Sequence, residues 1–325
     1  VSRFNATASA LARRDAVALK RLTDAYQRIY AGLKDKIDLL ADAIASGKYT
    51  TTQLVRLTRY KSLTAQIETE LRGYEIILRN EIANISQEAI AMAGRDSATL
   101  IRLITQQYGV NVQFNRLPVE AIKTLLGFLD EKGPLYARIA ELAKTNTDEV
   151  IKTIIESISL GKNPRVLAAL IRDKLGGGLT DALRMARTVQ LWTYRESSRA
   201  NYLANSDVVQ GWIWYANLGG DPCMACVSKH GSVHSLDESL ADHHNGRCTA
   251  IPMVMGLPNP VEQAGEDWFS KLTEAKQKEL MGASKWAAWK EGKFTFDKLA
   301  ATHTDKVYGP MTVEAALASL IGQNE

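Results

Sequence analysis

Hydrophobic residues at three- and four-residue spacing dominate the first third of the chain. From residue 5 to about 46, Leu11, Leu19, Leu22, Ala25, Ile29, Leu33, Ile37 and Leu40 share one face, which predicts a long helix. Gly47 ends it, and Thr50-Thr51-Thr52 offers an N-cap to a second helix. That helix is predicted over 52–108, with Leu54, Leu57, Tyr60, Leu63, Ile67, Leu71 and Tyr74 on one stripe. Such lengths exceed the ordinary globular helix. They fit a coiled-coil hairpin or projecting arm, or else a plain helical bundle.

After Tyr108-Gly109 the periodic segments shorten. Pro118 starts one, Gly133-Pro134 breaks it, and Thr145-Asn146-Thr147-Asp148 reads as the cap of another. Asn163-Pro164 reads as the opening of a helix over 164–174, and Gly176-Gly177-Gly178 as a hinge. The triplet lacks the Lys-Ser/Thr of a phosphate-binding loop. A last helix is predicted from Thr180 to Leu203. On it Arg184, Arg187, Arg195 and Arg199 fall within about 120° of one another. This basic stripe is a candidate contact for a partner or for nucleic acid, and the plainer reading is a solvated face with local pairs to Glu196.

The character of the chain changes near residue 205. Val208–Asn217 is aromatic and β-branched and predicts a strand, with Val233 and Thr249-Ala250-Ile251 as antiparallel partners. Beyond Pro258-Asn259-Pro260 comes an amphipathic tail whose Trp268, Trp286 and Trp289 would dock short helices. Four consecutive segments are therefore expected. They are a long helical hairpin or arm (1–110), a helical part (111–205), a small β module (206–258) and a short helical C-terminal extension (259–325). The fold class is mainly α with a small α+β C-terminal module.

Bulk properties narrow the picture only a little. A length of 325, 46% hydrophobic and 23% charged residues fit a globular chain of about two domains. A net charge of +4 does not mark a dedicated nucleic-acid binder. No apolar run reaches the roughly 18 residues a membrane helix needs. The opening VSRFNATASALARRD lacks the apolar core of a secretory signal, so a reducing intracellular setting is expected.

The densest chemistry lies between Cys223 and Cys248. All three cysteines and four of the five histidines fall there. Cys223-x2-Cys226, then His243 and Cys248, supplies thiolate and imidazole donors with knuckle-like spacing for a tetrahedral metal, zinc above all. His244 is an equally short alternative to His243. Other readings stay open: a disulfide, which an odd cysteine count disfavours, or reduced cysteines that bind nothing. A catalytic zinc aided by Asp242 or Glu238 is a further reading.

The order of these features resembles the Mu F-type minor head proteins, the phage head morphogenesis family. Arg187-Thr188 and Arg199-Ala200-Asn201 precede a tryptophan-bearing strand (Trp212, Trp214). The turn Asp221, Cys223, Cys226 follows, then Gly231. The family's closing His-Pro-Asn-Cys-Arg-Cys corresponds here to His243-His244-Asn245-Gly246-Arg247-Cys248, with Gly246 in place of the first cysteine. Asp267-Trp268, Leu280-Met281-Gly282, Trp289 to Gly292 and Leu299 resemble the family's helical extension. The resemblance covers about residues 150–300 and does not include the long N-terminal helices.

The resemblance implies a non-enzymatic minor capsid protein of a tailed phage, acting in head morphogenesis at the portal vertex. Its partners would be the portal protein, with the major capsid or scaffolding protein and genomic DNA as further expectations. No membrane is involved. Several copies would assemble in the host cytoplasm and reside in the virion, with a part in DNA packaging or ejection. A different class is a zinc-supported His-Asn-His-type nuclease built on Asp242-His243-His244-Asn245. A third is a Cys–His hydrolase using Cys223 or Cys226 with His243.

Overall fold

The computed structural model describes residues 16–33, 36, 53, 58–126, 129–130, 132–159, 164–219 and 221–322. The described chain is mainly helical, with a small antiparallel sheet and a Cys/His cluster toward its C-terminal end. Leu11, Ile37, Leu40, Gly47, Thr50–Thr52, Leu54, Leu57 and Asn163 lie outside the described residues. The described residues form two compact units, one from those within 16–85 and 129–189, the other from those within 86–128 and 190–322. Two long helices each contribute residues to both units.

The first unit is a helical bundle. It holds α1 (residues 16–33), the first part of α2 (Thr58–Gln106), α4 (Pro134–Ser159) and the first part of α5 (Pro164–Leu203). The α2 stripe read from the sequence is its core: Tyr60, Leu63, Ile67, Leu71 and Tyr74 are all buried, as are Leu22, Ala25, Ile29 and Leu33 of α1. Tyr26 meets Tyr74 edge-on at 4.7 Å, and Arg21 lies 3.2 Å from Glu81. The two helices therefore run antiparallel. Arg79 bridges to α4, donating to the Tyr136 carbonyl at 3.2 Å.

Two expected breaks are not breaks. Helix α4 runs through Thr145–Asp148 and α5 runs through Gly176–Gly178. The reason is tertiary. A Cβ on Gly178 would sit 1.5 Å from the buried Asn146 side chain, so this glycine lets α4 and α5 approach closely rather than turning the chain.

The second unit is built on a sheet of order β2-β1-β3, from β1 (Val209–Tyr215), β2 (Val233–His234) and β3 (Thr249–Val254). Both outer strands pair antiparallel to β1, and Trp212 faces His234 on one side and Pro252 on the other. A proline is tolerated there because β3 is an edge. The sheet packs on the ends of α2 and α5 through Trp212, Ile213, Ile251, Tyr202 and Ile101. Asn201 in the last turn of α5 and Asn205 in the turn just after it hold the segment before α3 (Val119–Leu125). Asn201 accepts from the Leu117 N–H at 3.0 Å and Asn205 from that of Asn115 at 2.7 Å.

A second hydrophobic cluster gathers the C-terminal elements. These are α7 (Gly265–Ser270), α8 (Glu274–Met281), α9 (Ala283–Lys290) and a 3-10 turn at Phe296–Leu299. A hairpin of β4 (Ala300–Asp305) and β5 (Gly309–Glu314) and then α10 (Leu317–Ile321) complete the set. Trp268, Trp286 and Trp289 pack against this cluster, as the sequence indicated. The extension is not purely helical, however. Thr302 and Thr304 favour a strand, the Asp305 carboxylate accepts from the Val307 and Tyr308 N–H groups, and Gly309 turns at φ 74.

One short helix joins the two clusters. In α6 (Met224–Lys229), Cys226 belongs to the sheet core, while Met224 and Val227 belong to the C-terminal core. Gly265 at the start of α7 donates its N–H to the His230 carbonyl, and a Cβ there would lie 1.7 Å from the Val227 carbonyl oxygen. That neighbour is backbone and cannot yield. Gly265→Ala should therefore cost about 3 kcal/mol or more of unfolding free energy in chemical denaturation. A cost below about 0.5 kcal/mol would show that α6 and α7 are not held at this spacing.

Candidate metal centre

The Asp221-Pro222 turn delivers Cys223 in an extended conformation (φ −63°, ψ 134°) to the start of α6. Cys226 follows one turn later, so both sulfurs lie on the same side of the helix. The second half of the cluster is the loop 242–248. It closes with Gly246 N–H donating to the His243 carbonyl at 2.9 Å, and Asn245 has a positive φ of 59°. The donor atoms of Cys223, Cys226 and His243 all lie within 4.8 Å of one another, and so do those of Cys226, Asp242 and Cys248. Cys226 Sγ is 3.3 Å from His243 Nε2. The five side chains thus cluster within metal-binding distance, a geometry compatible with a bound metal.

The cluster is organised by Arg195 and Asp242, both buried. Arg195 donates through Nε to the Cys248 carbonyl (2.8 Å) and through Nη2 to the Gly246 carbonyl (2.7 Å) and to Asp242 Oδ2 (2.8 Å). Asp242 Oδ2 also accepts from the Cys248 N–H at 3.1 Å. Its Oδ1 accepts from the His243 N–H at 2.9 Å and from the Cys226 thiol at 3.3 Å. Those bonds use the carboxylate's roughly four lone-pair directions. Asp242 is therefore best suited to orienting the loop, with sulfur and imidazole left to face a metal. Gly246 is dictated by the same carboxylate, since a Cβ there would lie 2.1 Å from Asp242 Oδ2.

Which histidine belongs to the cluster is decided by the loop. His243 directs Nδ1 at the His244 carbonyl at 2.8 Å, which fixes the hydrogen on Nδ1 and leaves Nε2 toward the sulfurs. His244 turns away, its Nε2 lying 3.2 Å from Asp305 Oδ2 in the hairpin. The other candidates lie elsewhere. Glu238 engages His234 at 2.9 Å, and His234 stacks on Trp212 at 4.3 Å. His230 accepts the Ala216 N–H on Nδ1, and burial holds its imidazole below the usual range. All three cysteines are unbridged.

Charge within the cluster is unevenly distributed. Contact with the Cys226 sulfur, aided by His243, lowers the Cys223 thiol to about 4 against the opposing effect of burial. Its contact with Cys223 raises His243 to about 9, with Asp242 adding to the effect. Hydrogen bonding to Cys223 and Cys248, then burial, pushes Cys226 upward, and burial does the same for Cys248. The Trp214 indole N–H opposes the last of these. It has no partner within hydrogen-bond geometry, yet it lies near enough to the Cys248 sulfur to favour the thiolate. So many donors cannot all lose their protons without a compensating cation, and a divalent metal is the natural replacement.

The hairpin contributes two groups that no sequence motif announced. Glu314 accepts from the Met224 N–H at 3.3 Å and lies 3.8 Å from the Cys223 sulfur, and Asp305 holds His244. The four arginines do not form one exposed stripe. Arg184 is exposed and paired with Asp181. Arg187 is half-buried, and Arg199 pairs with Glu196 at 2.9 Å while donating to the Leu236 carbonyl. Arg195 is 3% exposed and fully engaged by the loop, so its guanidinium does not face solvent. Asp242 next to His243 was the visible hint of its partner, but nothing in the sequence links positions 47 residues apart.

Comparison with family models, with curated proteins and with solved structures returns no match.

Burial alone would raise the Asp242 carboxyl, but Arg195, His243 and the Cys248 N–H overcome it and hold it below the ordinary value. A depressed folded value means stability that is present above about pH 4 and lost as pH falls through that value. Arg195→Met leaves the buried carboxylate without its guanidinium partner, with His243 and two backbone N–H groups as its remaining support. It should cost roughly 3–5 kcal/mol at pH 7, and less at pH 4–5 where Asp242 can take up a proton. Urea titrations at both pH values check this, and an equal loss at both would contradict it.

Proposed function

We propose that this chain is a non-enzymatic minor capsid protein of a tailed phage, in which a structural zinc holds a small module for assembly at the portal vertex. The observation that carries the reading is the convergence of the family-like motifs. The α5 segment bearing Arg195 and Arg199, the Asp221–Cys226 turn and the 242–248 loop are far apart in sequence. They meet in one unit around two donor groups that share Cys226. The zinc ligands are Cys223, Cys226, His243 and Cys248, a three-sulfur, one-nitrogen set suited to a closed tetrahedral site. Asp242 and Arg195 form the surrounding shell. Such a site contributes folding free energy rather than chemistry.

The departure from the family ending supports the same reading. Gly246 replaces a cysteine where Asp242 leaves no room for a side chain, and Asp242 is the group that positions His243 and Cys248. The portal protein is the first partner, with shell or scaffolding protein and DNA as further contacts. A His-Asn-His nuclease has weaker support. Its histidine, His244, is held by Asp305, and Asn245 has its Oδ1 buried.

Elemental mass spectrometry on protein purified without chelator should find about one zinc per chain, as expected of a single structural site. Cys226→Ser should lose it and unfold residues 208–255, while α1 and α2 keep their helical signal. Co-expressed with the portal protein of its own phage, the wild-type chain should co-purify and the Cys226→Ser chain should not. A metal-free, fully folded wild type removes the zinc, and a wild type that ignores the portal removes the assembly role.

A further inference from the structure

We infer that Cys223 and Cys226 form a peroxide-sensitive latch on the metal centre, an inference that rests on the metal reading above. Three features lead to it. Cys223 is only half-buried, whereas Cys226 and Cys248 are 5% and 2% exposed, so a small oxidant in solvent meets Cys223 first. Cys226 is the one residue common to both donor groups, so any bridge formed by first contact passes through it. The two positions are three residues apart at the start of a helix, a separation that a disulfide can span. Cys248 also lies within 4.8 Å of Cys226, but it is buried and its backbone is pinned at both ends, the N–H by Asp242 and the carbonyl by Arg195, so an oxidant from solvent reaches Cys223 before it.

The chemistry balances with hydrogen peroxide as the oxidant. The Cys223 thiolate attacks one peroxide oxygen, forming a sulfenic acid and releasing hydroxide. The Cys226 thiolate then attacks the Cys223 sulfur, forming the S–S bond and expelling a second hydroxide. Two electrons pass from the two thiolates to the O–O bond, and two protons from solvent convert both hydroxides to water. His243 and Cys248 alone are left to face the metal. Two donors cannot close a tetrahedral shell, so the ion departs.

The consequence extends beyond the site. Helix α6 carries both reacting cysteines and also Met224 and Val227 of the C-terminal cluster, and Glu314 touches both Cys223 and the Met224 N–H. Oxidation therefore acts on a helix that the sheet core and the C-terminal cluster share. A dithiol reductant reverses the S–S bond by thiol–disulfide exchange, becoming a disulfide itself as Cys223 and Cys226 regain their thiols, which makes the latch resettable.

The experiment uses the full chain with its metal content measured first. Hydrogen peroxide is titrated in, released metal is read with a chromogenic chelator, and bridges are mapped by mass spectrometry of unreduced peptides. The expected result is about one metal ion released per Cys223–Cys226 bridge, with Cys248 still open to alkylation and metal rebinding after reduction. Metal retained under peroxide, a Cys226–Cys248 bridge, or release with Cys223 overoxidised and unbridged would each overturn the latch. Protein that holds no metal before peroxide counts against the metal reading itself. In that case the mapped bridge still decides the latch, and its absence overturns it. Cys248→Ser provides the second variant: it should still form the Cys223–Cys226 bridge, and failure to do so in folded protein contradicts the assignment.

Discussion

The ion pair between Arg195 and Asp242 is the constraint on which the C-terminal unit depends. Both groups are out of water, so each is tolerable only because the other and a set of backbone bonds replace the lost hydration. The guanidinium fork reaches two carbonyls of one loop as well as the carboxylate, which a lysine could not do. The loop 242–248 is thereby fastened to α5, and His243 and Cys248 inherit their positions from it. The positive φ of Asn245 and the glycine at 246 follow from the same fastening.

Helix α6 is the other half of the arrangement. Six residues are too few to be stable by themselves. They are held because Met224 and Val227 enter one hydrophobic cluster, Cys226 enters another, and Glu314 accepts an N–H at the helix start. A metal bridging Cys223 and Cys226 to the loop would tie α6 to α5 through Asp242 and Arg195. That is a role for a cation in a module whose sheet has only three short strands.

Much of this was legible in the sequence, and the residues explain why. The stripe Tyr60, Leu63, Ile67, Leu71, Tyr74 is local periodicity, and it is buried as read. The strand around Trp212–Trp214 and its partners Val233 and Thr249–Ile251 pair as expected, because aromatic and β-branched alternation is also local. The cysteine and histidine spacing located the cluster. What was illegible is what depends on distant neighbours. Gly178 looks like a hinge until Asn146 is seen against it. Arg195 looks like one of a solvent-facing row until the loop closes on it. The β4–β5 hairpin was hidden in a tail whose neighbouring segments are helical, and with it the roles of Asp305 and Glu314.

The sheet unit carries the donor cluster, and the proposed head-assembly role requires that cluster to be a rigid structural centre. Cobalt(II) substitution tests this most directly, because cobalt reports the geometry and the donor atoms of the site in its visible absorption. The account predicts intense tetrahedral bands with thiolate-to-metal charge transfer, reduced when Cys248 is replaced by serine and unchanged when His244 is replaced by alanine. Weak octahedral absorption, or a spectrum that depends on His244 and not on Cys248, would contradict it.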